Sequence, residues 1–108
     1  MRALAAKGGV CQVTIYNGFL RTDGKACIDD AIRHLCHAVD IMGIDHVGLG
    51  TDFDGDGGVP GLANASELIN FTKALLRHKF SEEDMAKIWG GNWLRVMQAV
   101  QGSLCTKN

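Results

Sequence analysis

The segment at residues 46–58, a short apolar run that continues into glycine and aspartate, constrains the fold more than any other part of the sequence. If residues 46–52 form a strand, alternate side chains point to opposite faces. One face carries His46, Gly48, Gly50 and Asp52 and is nearly bare, and the other carries Val47, Leu49 and Thr51. Glycines at alternate strand positions favour close approach of another group to the backbone. Reactive groups of α/β proteins lie at the carboxyl ends of parallel strands, so Asp52 is the catalytic candidate. The alternative is that its carboxylate caps the next turn through backbone N–H groups.

A second strand is predicted upstream, at residues 10–16, where β-branched side chains alternate with others. Phe19 follows just beyond the end of that strand. Between the two strands, residues 27–42 repeat apolar side chains at helical spacing, and Gly43 ends the predicted helix. The order strand, helix, strand predicts a parallel pair joined by a right-handed crossover.

Further helices are predicted on both sides of this unit. Residues 1–7 are rich in alanine and leucine and are followed by two glycines, which is typical of a helix end. A capping-box pattern starts a helix at Asn64. The apolar face expected for that helix comprises Leu68, Ile69, Thr72, Leu75 and Leu76.

The C-terminal quarter predicts two more helices. Ser81 and the three acidic residues after it form a helix N-terminus. Glycines at residues 90–91 are expected to break the chain, and Asn92 to cap a last helix that Gly102 ends. We expect the tail from Ser103 to be loose.

These elements give an α/β fold of two parallel strands with three or four helices. Parallel sheets are normally covered on both faces and paired on both sides of most strands. Two strands alone leave two open edges. The sequence therefore resembles a section of a larger α/β domain.

The length and composition of the chain are those of one ordinary globular domain at most. The chain has 108 residues, of which 46% are hydrophobic and 21% charged, and its net charge is -1. This balance gives no electrostatic reason to expect nucleic acid or an anionic membrane as a partner. No segment has the pattern of a signal peptide or a membrane span, so we expect a cytoplasmic location.

Two sequence patterns are similar to metal sites, but each also has a purely structural interpretation. Residues 52–57 match the start of a calcium-binding EF-hand loop, but Ala63 stands where that loop needs a bidentate glutamate. His34 and His37 lie three residues apart on one helix, where a surface role is favoured over a metal site because no ligand set is completed elsewhere. The cysteines have neither zinc-site nor disulfide spacing and are expected to be free thiols: Cys11, Cys27, Cys36 and Cys105.

Several motifs together carry a family resemblance. They are the residues at 46–55, then Pro60-Gly61-Leu62, Ser81-Glu82-Glu83-Asp84 and Gly90-Gly91-Asn92-Trp93-Leu94-Arg95-Val96. In this order they resemble the C-terminal part of the membrane dipeptidase (renal dipeptidase) family of zinc dipeptidases. The resemblance extends over nearly the whole chain.

The resemblance implies a (β/α)₈ barrel, in which residues 10–16 and 46–52 would be the seventh and eighth strands and residues 1–108 the C-terminal fragment of a single domain. It implies hydrolysis of dipeptides by a water that bridges two zinc ions. Asp52 matches the carboxylate that accepts the proton of this water and passes it to the departing amine. Phe19 matches an aromatic substrate contact, and Tyr16 is a further candidate.

The family's zinc ligands and its substrate-binding arginine match positions before residue 1. The resemblance therefore implies no metal ligand in this chain, inactivity of the chain alone, and the remainder of the barrel as its partner. Lys79 stands where the family often has a glycine that ends a helix, and Cys27 at a common threonine cap. The main alternative is a nonenzymatic α/β module that buries its sheet edges by self-association.

Overall fold

A computed structural model describes residues 1–105 of the chain. Its regular elements follow the predicted order with one addition, a single helical turn after the first strand. They are α1 (Arg2–Ala6), β1 (Cys11–Thr14), α2 (Asn17–Leu20), α3 (Ile28–Met42), β2 (Val47–Gly50), α4 (Leu68–Arg77), α5 (Glu82–Ala86) and α6 (Asn92–Cys105). None of these helices combines the length and the hydropathy that crossing a membrane requires. Residues 106–108, part of the tail predicted to be loose, lie outside the described residues.

The two strands pair in parallel, as predicted, with Cys11 opposite Val47 and Thr14 opposite Gly50. Both are shorter than predicted. His46 belongs to a 3₁₀ turn, Ile44–His46, and its Nδ1 lies 2.8 Å from the carbonyl oxygen of Gly9.

Helix α3 packs across both strands and against α4, and the core lies between these elements. Its largest fully buried side chains come from almost every part of the fold: Ile15, Ile32, Leu35, Val47, Leu62, Phe71, Leu75 and Ile88. Helix α3 begins within one residue of the prediction and ends at Gly43, whose φ of 88° favours glycine.

The predicted apolar face of α4 is right in part. Leu75 is buried and Leu68 packs against the core, as predicted, but Ile69 and Leu76 are exposed, and Phe71 and Ala74 are buried instead. Phe71 contacts the ring of Trp89 edge-to-face, with the ring centroids 5.9 Å apart, so an aromatic contact from a later element accompanies the burial of Phe71.

Two predictions about the last helix are wrong: Asn92 does not cap it, and Gly102 does not end it. The chain bends at Gly90, where φ is 171° and ψ is -21°, and continues through Asn92 in helical conformation to Cys105. The side chain of Asn92 is buried, and its Nδ2 donates hydrogen bonds to the carbonyl oxygens of Ile44 (2.6 Å) and Val47 (2.8 Å).

Asn92 is one of several side chains that fasten the end of the sheet where both strands begin, which we call the base. Arg95 donates from Nη1 to the carbonyl oxygen of Gly8 (3.0 Å) and from Nη2 to that of Asp45 (2.8 Å). Lys87 Nζ lies 2.8 Å from the carboxylate of Asp45. The ammonium group of Lys87, by hydrogen bond and charge, holds the pKa of Asp45 below its ordinary value.

Candidate functional site

Asp52 lies two residues beyond the end of β2, in the left-handed backbone conformation (φ 57°, ψ 33°). Aspartate adopts this region more readily than most side chains, although it remains uncommon for any residue except glycine. The backbone carbonyl oxygen of Asp52 accepts hydrogen bonds from the N–H groups of Gly55 (2.9 Å) and Gly57 (2.7 Å). Its carboxylate does not cap this turn, so the alternative in which the side chain serves only as a cap is wrong.

The chain after Asp52 returns to the end of β1. The N–H of Gly58 donates to the carbonyl oxygen of Ile15 at 2.5 Å, and Gly58 pairs with Tyr16 in a parallel bridge. The loop that carries Asp52 is therefore fastened beside the residues that follow the neighbouring strand.

Two aromatic rings follow β1 and face this loop. Tyr16 and Phe19 contact each other edge-to-face, with ring centroids 4.8 Å apart, and Phe19 is 71% exposed. The single turn of α2 carries Phe19 beside Tyr16. These residues line one open depression, which we call the rim site: Tyr16, Phe19, Asp52, Gly55 and Asp56.

The rim site thus brings together the three side chains named from the sequence: Asp52, Phe19 and Tyr16. The close approach predicted at the strand glycines has another explanation. A Cβ at Gly48 would lie 3.3 Å from Cγ of Gln12, and one at Gly50 would lie 3.3 Å from Cβ of Gln12. The side chain of Gln12 fills this space and donates to the carbonyl oxygen of Leu49 at 3.3 Å.

The residues that the structure describes do not fit a metal centre. Within residues 1–103, whose side chains the structure describes, no three histidine, cysteine, aspartate or glutamate side chains come together as a ligand group. His34 Nε2 lies 3.1 Å from the carbonyl oxygen of Leu20, and His46 contacts Gly9 at the base. Both histidines therefore have structural roles in this arrangement. Cys11, Cys27 and Cys36 are free thiols, as predicted.

A charged cluster lies near the start of α3, and none of its residues was a candidate site residue in the sequence. The buried carboxylate of Asp30 accepts a hydrogen bond from the N–H of Cys27 (2.9 Å) and pairs with Arg33. Burial raises the pKa of this carboxyl, but the hydrogen bonds from Cys27 and the nearby guanidinium charges outweigh it, so the pKa of Asp30 lies below its ordinary value. The signal was present in the sequence, since Cys27 and Asp30 have capping-box spacing.

The same cluster orders the loop before α3. Arg21 pairs with Asp23, and its hydrogen bond lowers the pKa of Asp23 to about 2. Arg21 also lies 3.7 Å from the carboxylate of Asp30. Positive and negative groups are matched here, so this cluster stabilises the loop rather than offering an unpaired charge to a ligand.

Comparisons with known proteins agree on one family. The sequence model of the membrane dipeptidase family, peptidase family M19, matches residues 1–106. The uncharacterized dipeptidase C965.12 of Schizosaccharomyces pombe is 37% identical over 105 residues, which are 94% of this chain and 25% of that protein.

Two solved structures resemble this fold closely. A metallopeptidase from Rhodobacter sphaeroides, solved with a phosphinate mimic of the dipeptide L-Ala-D-Ala, has a TM-score of 0.82 and 31% identity over 88% of this chain and 28% of its own. The probable dipeptidase PvdM of Pseudomonas aeruginosa has a TM-score of 0.81 and 25% identity over 85% of this chain and 37% of its own. The chain thus spans between 25% and 37% of the length of these three proteins.

Proposed function

Because the chain belongs to the membrane dipeptidase family, peptidase family M19, we propose that it is the C-terminal portion of a dipeptidase and supplies the proton-transfer carboxylate, Asp52, for dipeptide hydrolysis. The observation that carries this proposal is the rim site, where Asp52 meets Tyr16 and Phe19 beyond the carboxyl ends of two parallel strands. Catalytic groups of α/β barrels lie at this end of their strands.

The proposed architecture is a (β/α)₈ barrel in which β1 and β2 are neighbouring strands and residues 1–108 belong to one domain. Parallel pairing supports it, as do the TM-scores of 0.81 and 0.82 against chains of which this fold covers 37% and 28%. The partner that this proposal requires is the remainder of the barrel, which would pair with the outer edges of β1 and β2.

In the proposed chemistry, water attacks the carbonyl carbon of the peptide bond. The carboxylate of Asp52 accepts a proton from this water and then donates it to the amine nitrogen that departs. General acid–base transfer of this kind accelerates a reaction by roughly 10²–10⁴-fold. The carboxylate is exposed in the rim site and does not cap the turn that follows it, so its oxygens can face a substrate.

The other proposed roles follow from the same geometry. Tyr16 and Phe19 present aromatic faces beside Asp52 and would contact the substrate's side chains. The zinc ions implied by the resemblance would need ligands other than the described residues, which do not fit a metal centre. We therefore assign no metal-dependent step to this chain and propose that it does not hydrolyse dipeptides alone.

A nonenzymatic, self-associating module is the second candidate. It is favoured by the apolar side chains that α6 leaves exposed, which are Trp93, Leu94, Met97 and Val100. Trp93, Met97 and Val100 line one open groove with Val10 and Val96, and exposed apolar patches mark interaction surfaces. Sedimentation of the chain as a stable oligomer, without any complementation of a dipeptidase, would favour this candidate.

The decisive experiment is a chimera. Residues 1–106 of this chain replace the aligned segment of the Rhodobacter sphaeroides metallopeptidase, and hydrolysis of L-Ala-D-Ala is measured together with metal content. We expect the chimera to turn over, and Asp52→Asn to lower kcat by at least ~100-fold with metal content unchanged.

Asp54→Asn is the matched control, because Asp54 is an exposed carboxylate in the same loop but does not line the rim site. It should keep kcat within about threefold of the unmodified chimera, since it removes no group that touches substrate. Equal losses in the two variants would contradict the role of Asp52. Dipeptide hydrolysis by the chain alone, abolished by Asp52→Asn, would contradict its proposed inactivity.

A further inference from the structure

Gly55 lies directly against the carboxylate of Asp52. A Cβ placed on Gly55 would lie 2.7 Å from Oδ1, 3.3 Å from Cγ and 3.4 Å from Oδ2 of Asp52. All three of the nearest atoms belong to this one side chain. The carboxylate therefore occupies space that any side chain larger than hydrogen would take.

The backbone itself does not require glycine at this position. Gly55 is not among the glycines with positive φ, so an L-residue can adopt its conformation. Gly57 differs, because a Cβ there would lie 2.0 Å from the carbonyl oxygen of Thr51 and 2.4 Å from that of Asp52. Gly57 is needed for the course of the loop, whereas Gly55 is needed only for the position of the carboxylate.

We infer that Gly55 is a positioning residue, because its lack of a side chain leaves the space that the carboxylate of Asp52 occupies in the rim site, beside Tyr16 and Phe19. The inference rests on the proposed function, in which that carboxylate transfers the proton. A methyl group at residue 55 displaces the end of a flexible side chain and leaves backbone atoms in place, so it changes the rotamer of Asp52 and not the fold. A displacement of about 1 Å at a reacting group can cost about 100-fold in rate.

The first test uses the chimera described above. Gly55→Ala should lower kcat by about 10- to 100-fold with KM within about threefold, because binding contacts remain while the carboxylate is displaced. Gly102→Ala is the control, since a Cβ at Gly102 meets no atom within 4 Å, and kcat should not change. In the Asp52→Asn background Gly55→Ala should cause little further loss, because it acts through Asp52.

The second test needs no catalysis. In the 108-residue chain, the Hα–Hβ and N–Cγ scalar couplings of Asp52 report its side-chain rotamer, and they should change in Gly55→Ala but not in Gly102→Ala. Unchanged couplings, unchanged kcat, or loss of folding in Gly55→Ala would each overturn the inference. If the unmodified chimera is inactive, the proposed function fails, and the couplings still decide whether Gly55 positions the carboxylate.

Discussion

The two ends of the parallel strand pair are built in opposite ways. At the base, Asn92, Arg95 and His46 contact backbone carbonyl oxygens of residues that precede or begin the strands. At the rim site, Asp52 has a left-handed backbone conformation and Phe19 is largely exposed. Side chains from distant parts of the sequence fasten one end, whereas the other end presents its side chains to solvent.

This difference indicates a division between stability and chemistry. A group that transfers a proton must stay accessible, so it cannot be committed to structural hydrogen bonds. Uncommon backbone conformations persist only where surrounding structure holds them in place. At Asp52 that support is local, because the N–H groups of Gly55 and Gly57 donate to its carbonyl oxygen. Substitutions at the base and at the rim site measure how far the two ends are separate.

The largest expected effect is at the base. Asn92→Ala removes two hydrogen bonds from a buried amide and leaves the carbonyl oxygens of Ile44 and Val47 without this donor. We expect a loss of about 3 kcal/mol in the free energy of unfolding, measured by urea denaturation.

Asn70→Ala is the matched control, because Asn70 also donates to a backbone carbonyl oxygen, that of Gly61, but in a hydrogen bond exposed to solvent. It should cost less than about 1 kcal/mol. Similar losses in the free energy of unfolding for Asn92→Ala and Asn70→Ala would mean that the base is not the more firmly fastened end.

A smaller and opposite effect is expected at the rim site. Asp52→Gly relieves the left-handed conformation and should raise the free energy of unfolding by about 0.5 kcal/mol, while the chimera loses its activity. Lys79→Gly is the comparison, since Lys79 has φ of 65° after α4 and should gain about 1 kcal/mol. Destabilisation by Asp52→Gly, with Lys79→Gly stabilising, would show that the carboxylate has a structural role.

The smallest effect is the pH dependence of the ion pair at the base. Because the folded-state pKa of Asp45 lies below its ordinary value, this group contributes stability above its unfolded-state pKa of about 4 and loses that contribution as the pH falls through the folded value. The urea midpoint of Asp45→Asn should be slightly below that of the unmodified chain at about pH 7 and equal to it at low pH. In the Lys87→Met background the difference at about pH 7 should shrink, because Lys87 is the main cause of the lowered pKa of Asp45. An unchanged difference would assign the lowered pKa to other charges, such as that of Arg95.

Local sequence signals predicted much of the fold. The spacing of apolar residues located α3 and its end at Gly43, and the order of elements predicted the parallel pair. Ser81 is the predicted N-cap of α5, with its hydroxyl oxygen accepting from the N–H of Asp84 at 3.0 Å. These features depend on residues close together in the chain, so their pattern is visible before folding.

Features that depend on distant residues were not predictable in this way. Asn92 after two glycines has the pattern of a cap, but its partners lie 45 and 48 residues earlier. Helix α4 also contacts Trp89, whose ring packs on Phe71 and whose Nε1 donates to Thr72 at 2.8 Å, 17 residues earlier in the chain. The sequence and the resemblance named Asp52, Phe19 and Tyr16, whose catalytic and binding roles stay predictions. The role of Gly55 could not be predicted, because Gly55 meets the carboxylate of Asp52 only when Asp52 has the left-handed backbone conformation.

The hydrogen bond from Gly58 to Ile15 limits how this loop can evolve. Five residues separate Asp52 from Gly58, and both ends of that stretch are anchored, one to β2 and the other to the end of β1. Inserting or deleting a residue there would shift the carboxylate relative to the aromatic rings, whereas exchanging an outward-facing side chain such as that of Asp54 would not. Composition can therefore vary at the outward-facing positions of this stretch, whereas geometry constrains its length and the glycines at 55 and 57. Loop-grafting designs on this fold should keep that spacing.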